Sequence, residues 1–328
     1  MSARCGRTKY VVHASIDLSM PTIKRLGSSG IIIIGLSLLA GSLINARVPV
    51  VAGGASGTVT DRDDGSSSRN TQESIERYLE IAEIQGTVTV ETGALKQQGR
   101  AAKVGDRLRA PGEGVATGSN SSAKLRADSG IGTIDVAENS NLQVKSLRTL
   151  RNGAKTTDLA TNRGRNRVRV RSFRNPASRF TIQTPTGIAG VRGTDFTVIV
   201  APSGETRVFT ASGEVEVTAQ FQTRRLTDGS YTVIAPGKPP TEAGSFSSSL
   251  LVSLQLLPAP DEGKVRLKGK VNPINSVFLD NQAIDLSPTG EFELIATIAP
   301  SRRLTLVVRT PLGDEQVYEL VIPQSVEE

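Results

Sequence analysis

Between residues 84 and 322 the chain is a succession of short segments in which apolar and polar residues alternate, each cut off by glycine, proline or asparagine. A period of two places successive side chains on opposite faces of a pleated strand, so this pattern dictates half-buried strands rather than helices. The segments fall at 87–90, 103–108, 122–126, 132–136, 141–144, 167–170, 179–182, 196–200, 206–210, 214–218 and 231–234. Their spacing of about ten to fifteen residues suits an all-β sandwich, a barrel or a coil of short strands, and periodicity does not choose among these. Only residues 72–83 show helical spacing, through Ile75, Leu79 and Ala82, and the same stretch also reads as the lead-in to a strand.

Composition agrees and removes whole classes of chemistry. With 32 Gly, 16 Pro and no Trp in 328 residues, the chain favours tight turns over long packed helices. Its single Cys, Cys5, and single His, His13, both precede the apolar segment described next. The body of the protein therefore has no ligands for a structural zinc site and no His base for a Ser or Cys nucleophile. No disulfide is available, so burial and strand pairing must hold the fold. Carboxylate pairs are what remains for catalysis, Asp128 with Asp135 or Glu214 with Glu216. The second pair alternates with Val215 and Val217, the ordinary outward face of a strand. The chain reads as non-enzymatic, with no metal and no cofactor.

Five basic residues, Arg4, Arg7, Lys9, Lys24 and Arg25, precede an apolar run over residues 30–46 that includes four consecutive isoleucines. The charge asymmetry is of the positive-inside kind. The run is short for a spanning helix, which needs roughly 20 residues, and has the length of a signal-peptide core. Ala46 and Ala52 are the cleavage positions on offer, and an uncleaved transmembrane anchor is the alternative. Residues 1–52 are thus read as a leader with a signal peptide or anchor, and residues 53–80 as a flexible polar linker. Residues 81–257 are read as one β domain. At Pro258-Ala259-Pro260-Asp261-Glu262-Gly263 the strand pattern breaks, and residues 258–328 read as a small sandwich with strands near 265–271, 276–282, 288–294, 304–308 and 317–322.

The densest motif is Thr184-Pro185-Thr186-Gly187-Ile188-Ala189-Gly190-Val191-Arg192-Gly193-Thr194-Asp195-Phe196. Pro185 removes a ladder donor and Gly187 permits an unusual dihedral, which predicts a turn over 184–189 at a sheet edge. Arg192 has five donors in a rigid fork, suited to satisfying several turn carbonyls. The stretch resembles the signature of FecR domains, carried by Thr184, Pro185, Gly187, Val191, Arg192, Gly193, Thr194 and Phe196. Weaker likeness extends over roughly residues 81 to 240. The resemblance implies an all-β domain with a solenoid-like, twisted sheet, and the segment after 258 looks like the immunoglobulin-like modules of bacterial surface proteins. As a family, such regulators sit in the inner membrane, take a signal from an outer-membrane receptor through a periplasmic part, and control a sigma factor through a cytoplasmic one. Only about twenty-six residues precede the apolar segment here, which puts a sigma-factor partner in doubt.

Net charge is +7, and much of the excess lies between Arg148 and Arg179. Arg163, Arg165, Arg167, Arg169 and Arg171 recur at every second position. On a strand all five share one face and span about 27 Å, a row that can match a polyanion. The competing reading is a solvated face neutralised by carboxylates of neighbouring strands. The expected partners are envelope polysaccharide, anionic lipid or another envelope protein. Nucleic acid is not expected, because only Phe173 lies nearby for base stacking. The sequence reading is an exported, periplasmic, surface-exposed or membrane-anchored binding or scaffolding protein, with signal relay as the alternative.

Overall fold

A computed structural model describes residues 9–13, 77–92 and 99–323. The chain is all-β, and its only helical element among the described residues is a 3-10 turn at Asp128–Gly130. The apolar run at 30–46, Ile75 and the linker as far as residue 76 lie outside the described residues, whereas residues 77–80, also read as linker, hold the buried Arg77 and open the strand Leu79–Gln85. Among the described residues no helix is long and apolar enough to cross a membrane.

The larger body consists of two nine-stranded sheets. One contains Gly164–Val170, flanked by Gly132–Val136 and Asp195–Val200, and is termed here the arginine sheet. The other contains Arg179–Gln183 and Ile188–Val191 and is termed the signature sheet. In both, strand order largely follows the sequence, the chain crossing from one sheet to the other every one or two strands. The result is a coil of strand pairs, in keeping with the twisted, solenoid-like domain expected. Pairing is antiparallel except between Lys155–Ala160 and Arg179–Gln183, which run parallel.

Between the sheets lies one apolar core, built from alternate residues such as Leu79 and Ile81, Leu125, Ile134, Val168, Phe180 and Ile182, Phe196, Val215 and Val217. The segment with helical spacing is a strand, Leu79–Gln85, in which Leu79 and Ile81 are fully buried two residues apart. Burial of the period-two pair against this core outweighs a weak helical pattern. Polar groups also close the body. Arg77 is buried and donates to Asp128 Oδ1 at 3.0 Å, to Thr156 O at 2.8 Å and to Thr157 Oγ1 at 2.9 Å. It thereby ties the Asp128 turn to the strand Lys155–Ala160 of the opposite sheet.

A second core forms around Leu256, Val265, Leu267, Phe292, Leu304, Leu306 and Leu320. Three strands face it from one side, Ser253–Pro258, Lys264–Lys270 and Glu291–Thr297. From the other come Ser276–Leu279, Gln282–Ile284, Arg303–Arg309 and Glu315–Val321. Pro258 ends the edge strand of the first group, where its missing N–H costs no ladder bond. Lys9–His13, placed in the leader by sequence, adds a parallel strand beside Glu315–Val321. A membrane crossed by residues 30–46 would put these two strands on opposite sides.

The two bodies meet on the outer face of the arginine sheet. Arg165 donates to Pro311 O at 3.2 Å, Arg207 to Asn275 O at 2.7 Å, and Arg309 to Glu138 Oε1 at 2.6 Å. This cover explains why Asp195–Val200 and Thr206–Ser212 are buried on both faces over most of their length.

Candidate functional site

The signature forms a hairpin and the corner that follows it. Arg179–Gln183 and Ile188–Val191 are joined by the loop 184–187, closed by the Thr184 amide on Gly187 O at 2.8 Å and the Gly187 amide on Thr184 Oγ1 at 3.0 Å. Thr206 Oγ1 donates to Thr184 Oγ1 at 3.0 Å, pinning the loop to the arginine sheet. Two sequence expectations need correction here. Ile188 and Ala189 belong to a strand, and the hairpin is internal to its sheet, flanked by Lys155–Ala160 and Val215–Ala219. Gly187 adopts no positive φ; glycine is needed because a Cβ there would stand 2.8 Å from Thr218 O.

After Val191 the chain leaves the signature sheet and enters the arginine sheet at Asp195. The crossing works only with glycine at 193, where φ is 155° and a Cβ would lie 2.5 Å from Ser172 Cα. Thr194 locks the corner, its amide and carbonyl both pairing with Val170 at 2.9 Å and its hydroxyl donating to Glu214 O at 2.8 Å. Val191 and Phe196 are core residues on either side. Arg192 does not clamp turn carbonyls as expected. Its side chain is exposed and makes no hydrogen bond with the described residues, and only its carbonyl is used, by the Phe173 amide at 3.1 Å.

The arginine row lies directly against this corner. Val168 and Val170 point into the core, and Arg165, Arg167 and Arg169 point outward as period two requires. Asp195 grips Arg167 through Nε to Oδ1 at 3.0 Å and Nη2 to Oδ2 at 2.8 Å, and this raises the Arg167 pKa. Arg169 pairs with Asp135 at 2.6 Å and reaches Asp195 at 3.6 Å. Arg163 and Arg171 flank the strand, are exposed, and have no carboxylate at ion-pair distance among the described residues. The structure thus gathers the five residues on one side while neutralising Arg167 and Arg169 from neighbouring strands.

One unneutralised cluster lies at the signature corner. Arg171 and Arg126, with the paired Arg169, border an open cleft of about 400 Å³ floored by Gly130, Gly132, Gly193 and Thr194. Arg126 was not singled out from sequence, although its alternation with the buried Leu125 already put it on the outward face. The carboxylates considered for catalysis are committed elsewhere: Asp128 to Arg77, Asp135 to Arg169, and Glu214 and Glu216 to Arg225 at 3.2 and 3.4 Å. Among the described residues no group of three or more His, Cys, Asp or Glu side chains is placed to hold a metal.

An all-β body with a glycine-dependent corner and an arginine-bordered cleft defines a two-sheet β domain. Residues 113–216, which run from the strand Gly114–Thr117 through the signature, match the family model described as FecR protein. No curated protein matches the chain. Two crystal structures of a candidate anti-sigma factor from Parabacteroides distasonis ATCC 8503 are similar at 13% identity, with TM-scores of 0.36 and 0.35. Each alignment covers 42% of this chain and 61% of that one, so the chain spans about three fifths of their length. A polysaccharide lyase structure aligns at 7% identity with a TM-score of 0.18, covering 72% of this chain and 39% of the lyase.

Proposed function

We propose that this protein is an exported, non-enzymatic FecR-type relay module that receives an acidic protein partner on the cleft bordered by Arg126 and Arg171. The observation that carries the reading is the position of that cleft. It is floored by Gly193 and Thr194 of the family signature, at the corner where the chain passes between the sheets. Two guanidiniums without carboxylate partners give a local field that attracts an acidic surface and steers its approach. The FecR match supports a regulator, and the basic leader with its apolar run supports export. Sheet-to-sheet locking at Thr194 supports relay, since a partner seated there touches both halves of the body. An extended polyanion is a poorer occupant, because Arg167 and Arg169, at the centre of the row, are already paired.

The test is capture from envelope extracts with C-terminally tagged protein, alongside Arg126→Glu and Arg171→Glu. The expected result is a protein partner that is released by salt and lost in both variants. Capture that ignores salt, or that both variants retain, overturns the reading. Intact mass of the fractionated protein tests export: the expected N-terminus is Arg47 or Gly53 in an envelope fraction, cleavage removing the end strand Lys9–His13 and leaving Glu315–Val321 as the edge of its sheet. A full-length chain in the cytosol overturns that part.

A further inference from the structure

A second cleft lies between the two bodies, remote from the signature corner. It measures about 410 Å³, within the size range of small-molecule sites. Ile199 and Pro202 of the larger body and Phe278 and Ile284 of the C-terminal body give it an apolar wall. Four guanidiniums reach it, and they differ in how far their charge is met: Arg207 is paired with Glu205 at 2.7 Å and with Asn275 O at 2.7 Å. Arg309 is saturated: it bonds Glu138 at 2.6 Å and Glu315 at 2.9 Å, and lies 4.9 Å from the Phe278 ring centroid. Arg165 spends one donor on Pro311 O and has no carboxylate at ion-pair distance. Arg163 has no partner among the described residues.

Among the described residues no carboxylate stands at ion-pair distance from these last two, Glu138 on the cleft wall being bonded to Arg309. Burial first, and the facing Arg309 second, push the Arg165 pKa down to about 10, with Glu138 pulling the other way. The group stays charged at neutral pH. An unmet cation beside a desolvated apolar wall is costly, and an incoming anion removes that cost while its apolar body covers the wall.

We infer that the cleft between the two bodies binds a small amphiphilic carboxylate, its anionic head on Arg163 and Arg165 and its acyl or aryl body against Ile199, Phe278 and Ile284. The two-pronged guanidinium geometry suits a carboxylate head. The depth of the wall selects against short anions that leave it bare. Because the wall comes from both bodies, the ligand bridges them.

The experiment uses full-length protein and isothermal titration with octanoate and 3-phenylpropionate, with acetate and octanamide as controls. The expected result is one site per chain for at least one of the two longer carboxylates, at least about tenfold tighter than acetate or octanamide, since one charge-assisted contact corresponds to about that factor. Arg163→Gln and Ile284→Gln, an exposed and a half-buried position, are each expected to weaken it about tenfold while the melting temperature without ligand holds. The inference is overturned if neither longer carboxylate binds, if octanamide binds equally well, or if both variants bind like the parent. Neither variant touches Arg126 or Arg171, so failure here and failure of the relay reading are separate results.

Discussion

Asp195, the residue after the signature threonine, holds Arg167 in a two-pronged ion pair across adjacent strands at 3.0 and 2.8 Å, and stands 3.6 Å from Arg169. One carboxylate of the family motif therefore sets the charge of the arginine row. Asp195→Asn keeps the shape and removes the charge. Because the pair is partly solvated, the expected loss is about 1 kcal/mol, read as a fall of a few degrees in melting temperature. The same change frees Arg167, leaves Arg169 on Asp135 and removes the negative charge of Asp195 from the cleft wall, so salt-sensitive capture of an acidic partner is expected to strengthen. Weaker capture by a folded Asp195→Asn protein would contradict the electrostatic account.

Arg77 and Asp128 form the deepest ion pair described, both side chains 2% exposed. Removing one partner leaves the other charge buried and strands Thr156 O and Thr157 Oγ1, which the guanidinium also serves. Arg77→Met is expected to cost about 3–5 kcal/mol in urea unfolding. The double variant Arg77→Met with Asp128→Leu is expected to recover a large part of that, because no buried charge is then left unpaired; Lys155, 3.9 Å from Asp128, is partly exposed and stays solvated. Equal stability of the single and double variants would show that the pair is not coupled.

The strands read from alternation were legible where one face is polar, as in Val215–Ala219, whose burial switches at every residue. Gly114–Thr117 escaped because all four residues are buried and nothing alternates. Lys155–Ala160 escaped for the opposite reason: Thr156, Thr157 and Asp158 look like loop residues yet are buried, Thr157 receiving the Arg77 guanidinium and Asp158 the Thr181 hydroxyl at 2.7 Å. The common face of Arg165, Arg167 and Arg169 was legible from period two. Their partners were not, because Asp135 and Asp195 lie 34 and 26 residues from Arg169 and reach it only through strand pairing. Nor could period two reveal that Arg165 is covered by the loop at Pro311, which lies in the other body.

Acid is expected to loosen the junction of the two bodies. Burial pushes the Glu138 carboxyl up, but the Asn120 amide and the Arg309 and Arg165 guanidiniums together hold it below the ordinary glutamate value of 4.5. A depressed folded value means stability present above 4.5 and lost as the pH falls through the folded value. Glu205 runs in the opposite sense. Its burial outweighs the pull of Arg207, its folded value is raised, and its ionisation weakens the fold as pH rises through that value. Thermal unfolding from neutral pH down to pH about 3 is expected to show a shallower acid decline for Glu138→Gln than for the parent, and a steeper one for Glu205→Gln. Parallel curves for all three would exclude both assignments.

The last expectation separates two uses of glycine. Gly105 has φ of 91° with nothing within 4 Å of a Cβ, so Gly105→Ala carries conformational strain alone, about 1–2 kcal/mol. Gly193 combines a φ of 155° with a Cβ position 2.5 Å from Ser172 Cα and 2.9 Å from its nitrogen, both backbone atoms that cannot swing aside. Gly193→Ala is therefore expected to cost about 3 kcal/mol or more, because overpacking adds to strain. It also moves Ser172 and Val170, the strand that Thr194 locks, so partner capture is expected to fall even where the variant stays folded at low temperature. Denaturant unfolding of the two variants side by side decides the matter. Equal costs at 105 and 193 would show that the corner tolerates a side chain and that the signature glycine is there for its backbone freedom alone.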